Sequence, residues 1–264
     1  MPELAELKLT SDFVNLASEN KAFTHISKNP DHKWNEIDFG EDFTIESQSR
    51  GKEIKLVLRS TQTDRTSNLM MTMGMGGHFQ WANPRESIKH THLFFHAKNG
   101  GHLAFVDVRR FGKWKWGDWN KDRGPDPTTE YFLFCNNILK NLHKLAFDHP
   151  IYEVLMNQRY FNGIGNYLRA EILFRIPDED PFVPARDYIK RNTWELFELC
   201  RDIPIKVYEI GGGTIKDWKN PFGEVSSVSD LMLCYGNPHM RKIKDRGGRM
   251  FWYDPKWKRI EYDR

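Results

Sequence analysis

Met156-Asn157-Gln158-Arg159-Tyr160-Phe161-Asn162-Gly163-Ile164-Gly165-Asn166-Tyr167-Leu168-Arg169 decides how the second half of this chain folds. Apolar residues recur at helical spacing over Ile151 to Gln158 and Asn166 to Phe174, and glycines bracket what lies between. That pattern predicts two helices joined by a turn. Backbone amides at the start of the second helix suit a phosphate, and Asn166 is placed to cap that helix or to donate to a phosphate oxygen. A Gly-x-Gly at a helix end is also an ordinary terminator. Read alone, the segment leaves both meanings open.

Working outward, further helices are expected at Glu130 to Leu142 and Thr193 to Tyr208. Downstream, Met240 to Ile243 and Arg249 to Trp252 flank Asp245-Arg246-Gly247-Gly248, which predicts a β-hairpin. Upstream the period changes. Ile54 to Leu58, Leu69 to Met73, His92 to His96 and Leu103 to Val108 are short apolar or alternating runs separated by turn residues. A helix over Leu4 to Glu19 precedes them, and a polar, turn-rich linker over Gly117 to Thr129 follows. Helix plus many short strands implies a β-sandwich or barrel-like first domain over 1–128, with a helical domain over 129–264. The fold class is therefore α+β.

The chain has 264 residues and a net charge of only +3, so any polyanion site must come from local clustering. Two clusters exist. Arg109 to Arg123 holds six Lys/Arg against Asp118 and Asp122, and Arg241 to Arg264 holds nine against Asp245, Asp254, Glu261 and Asp263. Cys135, Cys200 and Cys234 are widely spaced, which excludes a disulfide framework and a Cys-x-x-Cys zinc site and fits a reducing compartment. Glu3, Glu6 and Lys8 occupy the place of a signal-peptide core, and no long apolar run follows. A soluble, intracellular protein with no membrane association is expected.

Met1-Pro2-Glu3-Leu4-Ala5-Glu6 carries the chemistry. Removal of Met1 exposes a secondary amine whose reference pKa near 8 leaves about a tenth of it as free base at pH 7. Such an amine suits Schiff-base chemistry on a sugar aldehyde, because the resulting iminium is an electron sink for eliminating a neighbouring phosphate. Glu3 and Glu6 are candidates to move the protons. The same residues also fit a plain helix start, with Pro at the first turn and carboxylates at the positive dipole end.

Together, Pro2-Glu3 with Glu6, Lys52 of Arg50-Gly51-Lys52, Gly74-Met75-Gly76-Gly77, Val106-Asp107-Val108-Arg109-Arg110-Phe111-Gly112 and Gly163-Ile164-Gly165-Asn166 resemble the formamidopyrimidine-DNA glycosylase/endonuclease VIII family over nearly the whole chain. Phe161 to Leu173 and the cysteine-free terminal hairpin look most like its animal endonuclease VIII-like 1 group. The resemblance implies an N-terminal β-sandwich, a helix-two-turn-helix motif and a "zincless finger" over about 236–264. It also implies a bifunctional glycosylase and abasic-site lyase acting on oxidised bases in base excision repair, a monomer that uses no cofactor or metal. Its partner would be damaged double-stranded DNA, with bubbles or single strands also open. Its location would be nuclear in a eukaryote and otherwise intracellular.

By the same resemblance Pro2 is the nucleophile, Glu3 its proton-transfer partner, Glu6 their support, and Lys52 a contact to the reacting sugar and its phosphate. Met75, Arg109 and Phe111 fill the gap left by an extruded base, a gap that costs a few kcal/mol if left empty. Asn166 and Arg249 hold phosphate, with Lys244 and Arg246 beside them. Ile210 to Trp218 departs from the animal pattern: Gly213 stands where those enzymes carry a base-contacting lysine, and the stretch looks like the bacterial loop that grips oxidised purines. Gly213, Thr214 and Lys216 are accordingly expected in the lesion loop. Oxidised or ring-opened pyrimidines and formamidopyrimidines are the expected substrates, with 8-oxoguanine as the alternative. A helix-two-turn-helix protein that binds nucleic acid without chemistry, and a lyase acting only at abasic sites, remain the competing readings. His90, His92 and His96 would share a strand face, yet nothing else in their surroundings suggests a metal site.

Overall fold

The computed structural model describes residues 1–213, 218–223 and 231–257. The chain divides into two compact units. One comprises Met1–Asn120 with Gly211–Ser226, and the other Lys121–Ile210 with Ser227–Arg264. The division falls at Asn120/Lys121, eight residues before the expected 128, and the segment after the long helix belongs with the first unit.

In the first unit, α1 (Leu4–Ser18) precedes eight strands: β1 (Phe23–Lys28), β2 (Phe43–Arg50), β3 (Glu53–Ser60), β4 (Thr66–Thr72), β5 (His78–Ala82), β6 (Thr91–Ala97), β7 (His102–Val106) and β8 (Lys113–Trp116). Hydrogen bonding links them in the order β5-β7-β6-β1-β2-β3-β4-β8. Laid flat, the six strand spacings between β7 and β8 would span roughly 29 Å. Yet the Phe105 ring of β7 meets the Trp114 ring of β8 edge-on at 6.1 Å. The sheet therefore folds over on itself into a sandwich, closing on Phe23, Phe43, Leu56, Leu69, Phe79, Phe95 and Phe105.

Helix α1 is laced to β2 by polar groups at its core face. Asn15 Nδ2 donates to the Ser47 carbonyl at 2.9 Å while its Oδ1 accepts the Ser47 amide at 2.6 Å, and the Ser11 and Ser47 hydroxyls pair at 2.9 Å. A buried backbone pair satisfied by one amide side chain fixes helix rotation as well as position.

In the second unit come α2 (Tyr131–Asn141), a short 3₁₀ turn (Leu145–Asp148), α3 (Ile151–Val154), α4 (Asn166–Phe174), α5 (Ala185–Arg191) and α6 (Thr193–Glu209), then β9 (Arg241–Lys244) and β10 (Met250–Tyr253). The helix expected over Ile151 to Gln158 stops at Val154, and turns occupy the chain up to Gly165. Gln158 holds them: its Oε1 accepts the Gly163 amide at 3.0 Å and its Nε2 donates to Ile164 O at 2.8 Å. Helix α5 was missed because Ala185-Arg-Asp-Tyr-Ile-Lys-Arg191 is too short and charged to show a period. The hairpin register, Lys244↔Met250 through Arg241↔Tyr253, sits one residue beyond the expected strand ends.

The hairpin is held to α4 without metal ligands. Arg169, fully buried on α4, donates to Asp245 Oδ2 at 2.8 Å and to Tyr152 O at 3.0 Å. Phe251 of β10 stacks on Tyr152 at 4.7 Å, with the Arg169 guanidinium 5.3 Å from its ring. Glu171 accepts the amides of Leu233, Cys234 and Tyr235 and thereby anchors the chain entering the hairpin.

Candidate active site

Pro2, Glu3, Glu6 and Lys52 are all buried in the first unit. Glu3 is the N-cap of α1 and shares a reciprocal capping box with Glu6. Both Glu6 oxygens are engaged by backbone: Oε2 accepts the Glu3 amide at 2.7 Å, and Oε1 accepts the Gly213 amide at 2.7 Å. A carboxylate that accepts two short backbone bonds is held in place. Glu6 thus ties the Glu3 and Gly213 amides together at the start of α1.

Lys52 lies in the two-residue turn joining β2 and β3, where Arg50 pairs with Glu53. Gly51 takes φ +57° at the first turn position, and only a residue without Cβ adopts that geometry cheaply. The turn leaves Lys52 with 8 % exposure. Burial lowers the pKa of the chain-terminal amine; the Glu3 and Glu6 charges oppose this, and Lys52 and Arg109 lower it further. That direction belongs to the Met1 amine and shows that the start of α1 disfavours the charged form of the group placed there.

Met75 and the pair Arg109 and Phe111 are brought together by glycine. A Cβ on Gly74 (φ +57°) would stand 2.7 Å from Gly112 N, and one on Gly112 would stand 2.5 Å from the Phe105 ring. The two loops thus pack backbone against backbone. Met75 is half-buried there, Arg109 is exposed, and Phe111 is 49 % exposed with the Arg109 guanidinium 5.0 Å from its ring. An unbranched apolar chain, a planar cation and an aromatic ring stand on adjoining loops.

The Gly213 amide is tied to Glu6; Thr214 and Lys216 of the expected lesion loop lie outside the described residues. The flanks of that stretch are fixed on α1. Gly212 packs against Trp218 and Leu9, and Phe222 meets Phe13 edge-on at 5.7 Å.

In the second unit Asn166 is the first residue of α4, and Gly165, not Asn166, is the N-cap. The Asn166 Oδ1 accepts from Arg169 at 2.6 Å, which turns its amide group outward as a donor. Arg249 and Lys244 are exposed on the hairpin. Arg246 is engaged, with Nη1 2.9 Å from His149 Nδ1 and Nε 3.4 Å from Glu153 Oε2. A cleft of about 220 Å³ runs between Asn157 of the two-turn segment and Arg249. The three histidines do not converge. His90 lies outside β6 with φ +65°, His92 donates to the Asp107 carbonyl, and His96 pairs with Ser27 and stacks on His25. Among the described residues no cluster of metal-ligating side chains is present, and no helix is long and apolar enough to cross a membrane.

Sequence reasoning passed over three groups: Asn15 with Ser47, Arg169 with Asp245, and Asp107 with His92. Each is an ordinary polar residue whose partner is set by long-range packing, so nothing in the local sequence marks it.

Residues 1–114 match the family model "Formamidopyrimidine-DNA glycosylase N-terminal domain". Endonuclease 8-like 1 of Homo sapiens is 37 % identical over 290 residues, covering 96 % of this chain and 72 % of that protein. Among solved structures, the MutM (Fpg) protein of Thermus thermophilus superposes with TM-score 0.80 at 23 % identity over 97 % of this chain and 98 % of that one. A Lactococcus lactis Fpg mutant bound to Fapy-dG-containing DNA superposes with TM-score 0.79 at 21 % identity over 97 % and 99 %. With fold, chain-terminal amine, buried carboxylates and paired loops in agreement, the chain belongs to the formamidopyrimidine-DNA glycosylase/endonuclease VIII family.

Proposed function

We propose that the amine of Pro2, once Met1 is removed, attacks the anomeric carbon of a damaged nucleoside in DNA. The protein is a DNA glycosylase with abasic-site lyase activity that works in base excision repair, and its partner is damaged DNA. The observation that carries the residue assignment is the buried start of α1: Pro2, two buried carboxylates and buried Lys52 in the first unit. Glu3 is the carboxylate assigned to proton transfer, because Glu6 is committed to the Glu3 and Gly213 amides. Displacement of the base gives an iminium, whose positive charge allows loss of the C2′ proton with expulsion of the 3′ phosphate and then loss of the C4′ proton with expulsion of the 5′ phosphate. Lys52 offsets charge at the phosphate.

Met75, Arg109 and Phe111 fill the vacated stack, where an aromatic face and a planar cation supply about 1–3 kcal/mol per stacked base. Asn166 and Arg249 hold the lesion-strand phosphate with charge-assisted geometry. Oxidised pyrimidines and formamidopyrimidines are the favoured substrates, and 8-oxoguanine is the second reading, favoured by Gly213 in place of a lysine. The likeness to Endonuclease 8-like 1 of Homo sapiens and Mus musculus supports a nuclear location if the source is a eukaryote, and an intracellular one otherwise.

The decisive experiment is borohydride trapping on duplexes bearing thymine glycol, 8-oxoguanine or an abasic site, with Met1 removed and with Met1 retained. Adducts on a damaged-base duplex that vanish when Met1 is retained support the Pro2 mechanism and rank the lesions. Adducts only at the abasic site limit the protein to a lyase, and none anywhere leaves a binding module.

A further inference from the structure

The loop that carries Arg109 and Phe111 is organised by one residue to which no role has been given. Asp107 is fully buried at the end of β7. Its Oδ1 accepts the Arg109 amide at 3.1 Å and its Oδ2 accepts the Gly112 amide at 2.6 Å, so the carboxylate spans the loop from inside. Its backbone is fixed as firmly. The carbonyl accepts the Arg110 amide at 3.2 Å and the His92 Nε2–H at 2.8 Å, while its amide donates to His90 O at 3.0 Å. Between these anchors Arg110 is held at φ +58°, a conformation that a non-glycine residue keeps only when its surroundings impose it. The outcome is an exposed Val108-Arg109-Arg110-Phe111 tip on a base held by hydrogen bonds.

We infer that Asp107, braced by His92, is a positioning residue for void filling: it pre-forms the Val108–Gly112 loop so that Arg109 and Phe111 are set before DNA arrives. The inference rests on the assignment of Arg109 and Phe111 as the void-filling residues. Its physical content is preorganisation. A loop that had to order around an orphaned base would lose the ordering free energy at the moment of base extrusion, whereas this loop has lost it on folding. His92 acts through the Asp107 carbonyl as a donor at Nε2. Burial keeps its pKa below the ordinary value, and the Arg110 and His90 charges act in the same direction, against the Asp107 bond and charge. His32, tilted against the His92 ring at 4.6 Å, is held neutral as well.

The test compares strand cleavage at an abasic site in duplex and in single-stranded DNA, because only the duplex has an orphaned base to occupy. 2-Aminopurine opposite the site reports stacking on that base directly. For Asp107→Ala the duplex-to-single-strand ratio of cleavage rates is expected to fall by about tenfold, the effect of two ordinary hydrogen bonds, together with the 2-aminopurine signal. Asp107→Asn, which keeps one acceptor in the same volume, should fall between, and it carries the test if the alanine variant does not fold. Arg109→Ala is measured alongside. A lowered ratio in Arg109→Ala with a wild-type ratio in both Asp107 variants overturns the inference and leaves the void-filling assignment standing. Equal loss on both substrates also overturns it, since that is the mark of a purely structural residue. A wild-type ratio in Arg109→Ala removes the assignment and the inference with it.

Discussion

Two loops, one in each unit, hold an exposed arginine by the same device and differ in what lies beneath it. On the β7–β8 connection Asp107 accepts the amide of Arg109; in the β9–β10 hairpin Asp245 accepts the amide of Arg249 at 2.8 Å. Both aspartates are buried. Asp107 shares its carboxylate between backbone amides alone, whereas Asp245 also meets the fully buried guanidinium of Arg169. Burial pushes the Asp245 pKa up, but the Arg249 amide and the Arg169 guanidinium outweigh it, and the net direction is down. A backbone-satisfied aspartate fixes a loop's shape. An aspartate paired with a buried arginine also fixes the loop to the rest of its domain, the task that a zinc ion performs in a metal-bearing finger.

The difference predicts unequal damage. Asp245→Ala strands a buried cation and should destabilise the second unit by about 3–5 kcal/mol, read as a fall in denaturation midpoint. The double change Asp245→Leu with Arg169→Met should recover most of that loss, and failure to recover would show that shape, not charge, holds the hairpin. Gly74→Ala should come next. Its Cβ meets backbone at 2.7 Å in a left-handed conformation, so about 2–3 kcal/mol of strain is expected in the first unit, together with slower cleavage of duplex DNA. Asp107→Ala leaves two amides unpaired but no stranded charge, so about 1–3 kcal/mol is expected. If it equals or exceeds Asp245→Ala, the contrast drawn here is wrong.

Acidity provides a milder probe of the first unit. His32 and His96 are lowered to about 4, chiefly by burial, so the unfolded chain binds protons between pH 6.5 and 4 that the folded chain does not. Stability contributed by their neutral forms is full above pH 6.5 and is lost as the pH falls toward 4. A melting temperature that falls over this window, and falls less in His32→Phe, is the expected result. The smallest effect should come from Arg59→Ala, whose partner Glu46 is as exposed as it is. A change below about 0.5 kcal/mol is expected, as for other solvated ion pairs.

Much was legible without coordinates because it is written in periodicity and in motif residues. The alternation around Leu56, Leu69 and Phe105 gave the strands, and Gly163 to Asn166 gave the two-turn motif. Pro2, Glu3, Lys52, Met75, Arg109 and Phe111 could be singled out as candidates because each occupies a fixed place in a recognisable string. The end of α3 at Val154 was not legible, since an apolar stretch continues in sequence after the helix has ended and Gln158 has taken over the hydrogen bonding. Nor was the membership of Gly211–Ser226 in the first unit, which depends on Glu6 reaching Gly213 across 207 residues.

What the sequence determined by itself was therefore the inventory: an amine beside carboxylates, a flexible wedge, an arginine and an aromatic ring on one motif, and basic residues on a hairpin. Tertiary structure decided the division of labour among them. Both Glu6 oxygens are taken up by backbone amides, one of them from Gly213, so a distant segment is fixed to the start of α1. Asp107 and Asp245 became the supports of the two arginine loops because burial makes each unpaired amide or charge costly, and which group satisfies which is settled only when distant segments pack.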